Sequence, residues 1–359
     1  MTVKNFRIFL FLILFASFLT AQDKPKNIII LIGDGMGLNH VALEFLKDGN
    51  SLYFSFPFTG LSVTTSADKL ITDSAAGATA IATGSKTKNG YVGVDSTGAP
   101  LKTLFEAAKD RKKSTGLVIL STITHATPGA FYAHNKSRNR QAEIALDYLQ
   151  AQVDIAIGSG SSYFYPANLG GRREDNRNLL DDLAQGGYSV IKGFDSEAII
   201  KNHNRRTVVF LDTAEVGYAP KRGYTLGQLT GAALGKLSLD KDGFVLMVEG
   251  SQIDWAAHDK DTVNIYTEMA DFTTAVQTAL EFAKKDKNTL VLVTADHETG
   301  GLIINKGRLN ESVYTLAYAS SSHTAGAVPV FAFGPGANYF TGLYHNDVLG
   351  KRLMRLINK

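Results

Sequence analysis

The stretch "TLVLVTADHETGG", residues 289 to 301, decides the reading of this chain. Its first half is a near-continuous run of apolar residues, the pattern of a strand covered on both faces rather than one. Its second half sets Asp296, His297 and Glu298 in direct succession. Adjacent residues cannot both point to one face of a strand, so Asp296 and His297 are expected on the loop beyond it, where both can turn inward. Six other runs read the same way: residues 26–33, 114–120, 153–158, 206–211, 243–250 and 328–334. Between them lie amphipathic stretches of helical length at 101–110, 141–150 and 265–285. The alternation predicts an α/β fold, doubly wound, with a mostly parallel central sheet and helices on both faces. Residues 159–177, rich in Ser, Asn and Arg, read as a surface excursion, and residues 23–359 as a single domain.

Composition bounds the function. The 359 residues carry a formal charge of +3, which falls to +1 (35 against 34) once Lys4 and Arg7 are set aside with the leader. That balance points to neither a nucleic acid nor an anionic membrane. With no cysteine, disulfides and thiolate metal sites are excluded. Residues 1–22 have a short basic start, an apolar stretch from Ile8 to Leu19, and small or polar residues at Thr20 to Gln22. This is the layout of a cleaved signal peptide, so the mature chain is expected to be periplasmic or secreted with no membrane span.

In open α/β sheets, ligands sit at the carboxyl ends of the strands. Three apolar runs end there on ionisable groups: residues 28–33 run into Asp34, 244–248 into Glu249, and 289–295 into Asp296 and His297. Such a group of carboxylates and an imidazole in one crevice needs compensating cations. An oxygen and nitrogen set without sulfur suits zinc or magnesium. Asp254 and His258, one helical turn apart, can face a single ion. Taken singly, each feature also fits a bland role: Asp34 as a helix cap, the Asp254 and His258 pair as surface electrostatics, His323 as a structural histidine. A second constellation is "TDSAAGATAIATG", residues 72–84, where Ser74 falls at a helix N-terminus, a place that attracts anions. Residues 121–138 add His125, Thr127 and Arg138, the last able to clasp a phosphate bidentately.

Six motifs in order, "IIILIGDGMG", "TDSAAGATA", "THATPGAFYAHNKSR", "VEGSQIDWAAH", "TADHETGG" and "SSHTAGAVPVFAFGPGA", resemble those of the alkaline phosphatases, over residues 26–357. The resemblance implies an exported, metal-dependent phosphomonoesterase of broad specificity that is a homodimer, with two zinc ions and one magnesium ion. It implies that Asp254, His258 and His323 hold one zinc, that Asp34, Ser74, Asp296 and His297 address the second, and that Asp34, Thr127 and Glu249 hold the magnesium. Ser74 would be the nucleophile that forms a phosphoserine, Arg138 would hold the phosphate, and Asp73 would orient Arg138. His125 and Trp255 stand where the best-known bacterial members have Asp and Lys, a combination that looks like the compact marine and cold-water branch. Glu298 and Thr299 receive no role. A diesterase or sulfatase of the same superfamily, and an exported binder of phosphate or metal, are the competing readings.

Overall fold

The computed structural model describes residues 24–46, 51–202, 206–308 and 314–358. The expected leader at 1–22 lies outside them. In chain order the strands are β1 (Asn27–Gly33), β2 (Phe58–Val63), β3 (Ser114–Thr122), β4 (Ile155–Ser159), β5 (Tyr188–Lys192), β6 (Arg206–Phe210), β7 (Phe244–Gly250) and β8 (Thr289–Thr294). They continue with β9 (Glu298–Thr299), β10 (Leu302–Lys306), β11 (Thr315–Tyr318), β12 (His323–Thr324), β13 (Val328–Phe333) and β14 (Gly342–His345). Ten of them form one sheet in the order β14-β2-β13-β8-β1-β7-β3-β4-β6-β5. All seven strands expected from the apolar runs are present. β13 pairs antiparallel with both β8 and β2, and every other pair in this sheet is parallel.

The two faces of β1 show why its run is continuously apolar. Ile28, Ile30 and Ile32 enter one core, while Ile29 and Leu31 enter the other. The first core is closed by helices Ser74–Thr83, Leu104–Asp110, Gln141–Ala151 and Asn346–Asn358. The second is closed by Leu38–Leu46, Leu226–Leu237, Gln252–His258 and the long helix Thr262–Asp286. Burial on both faces thus replaces the period-two alternation of a half-exposed strand.

The excursion expected at 159–177 is more anchored than its composition suggests. It folds into two short 3-10 turns, Ser161–Phe164 and Ala167–Leu169, with Phe164 in the first core. Arg173 is buried, where its guanidinium donates to the carbonyls of Ala142 and Tyr163 and pairs with Asp175. A buried arginine is retained only when its donors are met in this way. Among the described residues no helix is long and apolar enough to cross a membrane.

Candidate active site

The four central neighbours β8, β1, β7 and β3 deliver their carboxyl ends side by side. Asp34 follows β1, and its amide donates to the carbonyl of Gly250 at the end of β7 (3.3 Å). Glu249 is the penultimate residue of β7, and helix Gln252–His258 begins just beyond it with Asp254 and His258 on successive turns. Asp296 and His297 lie past β8, and His125 and Thr127 past β3, in and just before the short helix Ala126–Gly129. Ser74 opens helix Ser74–Thr83. The small-residue run of that helix has a packing reason: a Cβ on Gly77 would stand 2.7 Å from the carbonyl oxygen of Asp296, so only glycine lets the helix approach the loop.

Around Ser74 the contacts converge. Its Oγ lies 3.2 Å from Nε2 of His297, and that nitrogen lies 3.3 Å from both Asp34 Oδ1 and Asp296 Oδ2. Arg138 donates to Asp73 Oδ2 at 3.2 Å, approaches Ser74 Oγ at 3.5 Å, and meets His125 Nε2 at 3.3 Å. Asp73 is also the cap of the helix, accepting from the amide of Ala76 (3.0 Å), so capping and orientation of Arg138 are served by one carboxylate. Trp255 packs edge-on to His125, ring centroids 6.3 Å apart.

Among the described residues, three groups of ligand-type side chains bring their atoms within 4.8 Å of one another: Asp254, His297 and His323; Asp34, Asp296 and His297; and Asp34, His125 and Glu249. The first contains His297 where the resemblance implied His258. His258 stands beside it, with Nε2 3.3 Å from Asp254 Oδ2. Thr127 is buried, close enough to Glu249 to favour its charged form but outside hydrogen-bond geometry.

These residues fit metal ions on two independent grounds. Both oxygens of Asp34, one oxygen of Asp296 and one of Glu249 are buried without a hydrogen-bond partner. Such orphaned carboxylate oxygens are costly unless a cation meets them. The imidazoles supply the second ground. Nδ1 of His258 lies 2.8 Å from the carbonyl of Ser321, Nδ1 of His323 lies 2.9 Å from that of Thr72, and Nδ1 of His297 lies 3.2 Å from Thr299 Oγ1. Each ring is held through Nδ1 and presents Nε2 to the carboxylates, the arrangement that orients a metal-binding histidine.

The electrostatics describe the same concentration of charge. Burial first, then Asp296, Asp254 and Glu249, pushes Asp34 well above the usual carboxylate range. Burial raises Asp296 to about 6, helped by Asp254, and raises Glu249 to about 7 against the relief of nearby hydroxyls. Burial also works to raise Asp254, but the His258 contact and the neighbouring imidazoles outweigh it and hold it low. Burial lowers His297 to about 4, and burial together with Arg138 lowers His125 to about 3.

Some participants had no legible signal. Asn89 accepts from the amide of Asp73 (3.2 Å) and steadies the turn before Ser74. Glu298 accepts from the amides of Gly301 and Leu302 (3.2 Å each) and from Thr324, joining β9 to β12, the strand that carries His323. Fixed spacing to a glycine turn hints at Glu298; nothing local hints at Asn89.

Fold and site together define a class: a doubly wound α/β protein whose central strand ends gather carboxylates and imidazoles suited to several metal ions around one serine at a helix N-terminus. The family model described as alkaline phosphatase matches residues 25–317. The chain belongs to the alkaline phosphatase family. Alkaline phosphatase 3 of Bacillus subtilis (strain 168) is 43% identical over 303 residues, which is 79% of this chain and 63% of that protein. The chain thus spans less than two thirds of that relative's length. The alkaline phosphatase of Escherichia coli (strain K12) is 31% identical over 90% of this chain and 84% of its own. The structure of alkaline phosphatase from the Antarctic bacterium TAB5 matches with a TM-score of 0.87 at 36% identity, covering 94% of this chain and 98% of that one. A variant of the TAB5 enzyme with magnesium bound matches with a TM-score of 0.86.

Proposed function

We propose that the chain is an exported, metal-dependent phosphomonoesterase that works through a phosphoserine on Ser74. The observation that carries this reading is the convergence of Ser74, Arg138 and His297 Nε2 beside oxygens of Asp34 and Asp296 that are buried without a hydrogen-bond partner, with His323 Nε2 3.6 Å from Asp254 Oδ1. Asp254, His258 and His323 would hold one zinc, Asp34, Ser74, Asp296 and His297 a second, and Asp34, Thr127 and Glu249 a magnesium. When bound, such ions supply Lewis acidity and neutralise charge at the attacking and leaving oxygens of an in-line displacement.

The chain's own groups account for the rest. The N-terminus of helix Ser74–Thr83 and the Arg138 guanidinium make the pocket attractive to a phosphate dianion, and Asp73 holds that guanidinium in place. Ser74 Oγ forms a bond to phosphorus as the ester oxygen leaves and takes up a proton. Water then attacks the phosphoserine, releasing inorganic phosphate and restoring the hydroxyl. His125, kept neutral by burial and by the nearby guanidinium, accepts from Arg138 without repelling it. Export is supported by the leader pattern of residues 1–22, and a homodimer of one catalytic unit per chain completes the proposal.

The test is chelation followed by assay of p-nitrophenyl phosphate beside bis-p-nitrophenyl phosphate, with zinc and magnesium restored separately and together. Zinc-dependent monoester turnover exceeding diester turnover by orders of magnitude is expected. Preference for the diester would make the chain a diesterase on this fold. Zinc uptake with no turnover of either would make it a binder. Sedimentation of the mature chain tests the dimer.

A further inference from the structure

Thr299, two residues beyond His297, lies between ligand-type side chains of both candidate zinc sites. Thr299 Oγ1 donates a short hydrogen bond to Asp254 Oδ1 and lies 3.2 Å from Nδ1 of His297. A threonine hydroxyl has one proton. Because that proton is committed to Asp254, the oxygen meets His297 only as an acceptor, so the proton between them is carried by Nδ1. Nε2 of His297 is then the nitrogen with the free lone pair, and it is the one that faces Asp34, Asp296 and Ser74.

The same residue is tied to the other ligand-bearing segments. Its amide donates to the carbonyl of Gly35, next to Asp34, at 3.0 Å, and its strand β9 pairs it directly with His323 on β12. Gly35 has φ +71, and a Cβ there would stand 2.7 Å from Thr299 Oγ1 and 2.9 Å from Asp254 Oδ1. The glycine therefore leaves the space in which hydroxyl and carboxylate meet. Thr299 itself is fully buried, so no water replaces what its hydroxyl provides.

We propose that Thr299 is a positioning residue shared by the two zinc sites, a single hydroxyl that orients a carboxylate of one and fixes the imidazole tautomer of the other. The proposal rests on the metal assignments above. It predicts that the two sites lose affinity together when the hydroxyl is removed, although Thr299 is a ligand of neither.

The experiment measures zinc uptake by the metal-stripped full chain against a chromophoric chelator, for the parent, Thr299→Val and Thr299→Ser. Valine keeps the shape and loses the hydroxyl, whereas serine keeps the hydroxyl. Loss of an orienting partner of a metal ligand weakens binding by about 10- to 100-fold. Expected are a loss of that size at both zinc equivalents in Thr299→Val, recovery to within a few-fold of the parent in Thr299→Ser, and near-equal thermal unfolding of the parent and serine chains. Nitrogen NMR of His297 in the stripped chain is expected to show the proton on Nδ1 in parent and serine forms. Parent-like zinc binding by Thr299→Val overturns the proposal, as does weakening of one equivalent alone or a serine variant as weak as the valine. A parent chain that takes up no zinc overturns the metal assignments themselves, a separate result from a parent that binds two zinc ions beside a valine variant that binds them equally well.

Discussion

Arg222 offers a test of how the helix bearing Asp254 and His258 is held. Its side chain is 1% exposed, beside Glu268 at 1% and Asp271 at 5%. One end of the guanidinium donates to Glu268 Oε2 (2.9 Å) and Asp271 Oδ2 (2.7 Å), both on helix Thr262–Asp286. The other donates to the carbonyl of Gly217 (2.9 Å) and to Gln252 Oε1 (3.0 Å), the first residue of helix Gln252–His258. In Arg222→Met two buried carboxylates lose their counter-charge, which destabilises by about 3–5 kcal/mol when one partner of a buried pair is removed. Burial already raises both Glu268 and Asp271, and the Arg222 charge is the chief influence opposing it. Removing Arg222 raises them further. A carboxyl whose folded pKa lies above its unfolded value binds more protons folded than unfolded, so its stability contribution falls as pH rises through that window. The deficit of Arg222→Met against the parent should therefore be smaller near pH ~5 than near pH ~8. Adding Glu268→Gln and Asp271→Asn, which keep acceptors for the amides of Ala219 and Leu226, should recover much of it. Urea unfolding followed by Trp255, the only tryptophan and three residues from Gln252, is the assay. A deficit under ~1 kcal/mol, or one independent of pH, would refute the reasoning.

Other outcomes follow from the same geometry. Ser74→Ala should lose nearly all monoester turnover while keeping zinc uptake by the chelator assay; equal loss of zinc would give Ser74 a larger ligand role than a nucleophile's. Arg138→Ala removes charge-assisted bonds worth about 1.5–3 kcal/mol each, so kcat/KM should fall by at least ~10-fold and inhibition by inorganic phosphate should weaken in parallel. Gly35→Ala forces a Cβ to 2.7 Å from Thr299 Oγ1 at φ +71, and should destabilise the fold by at least ~1 kcal/mol, read from urea unfolding, while weakening zinc uptake. His40 is fully buried, and burial lowers it from 6.5 to about 4 against the pull of Asp254. Its neutral form contributes stability above pH 6.5 that is lost as pH falls toward 4. His40→Gln, which keeps an acceptor for the amide of Gly37, removes that titration, so urea unfolding of the metal-stripped chains should show the variant gaining on the parent by up to ~3 kcal/mol across this window.

What the sequence by itself determined was local or periodic. Continuous apolar runs mark strands buried on both faces, and all seven expected strands are in the sheet. Ionisable residues at the ends of such runs mark the crevice, because a sheet covered by helices leaves its strand ends as the place where charged groups can meet a ligand. Strands β2, β5 and β14 escaped notice because they lie toward the edges, where exposure of one face erases the continuous run. The direction of β13 was equally hidden, since an apolar run reads the same both ways. Only the tertiary structure decided which residues share a site. Ser74 and His297 are 223 positions apart, and their contact exists because β8, β1, β7 and β3 are neighbours in the sheet and their loops end on one side. Thr299 shows the limit most clearly. A hydroxyl two residues past a histidine has no signature of its own, and its meaning depends on a glycine 264 positions earlier that leaves room for Asp254.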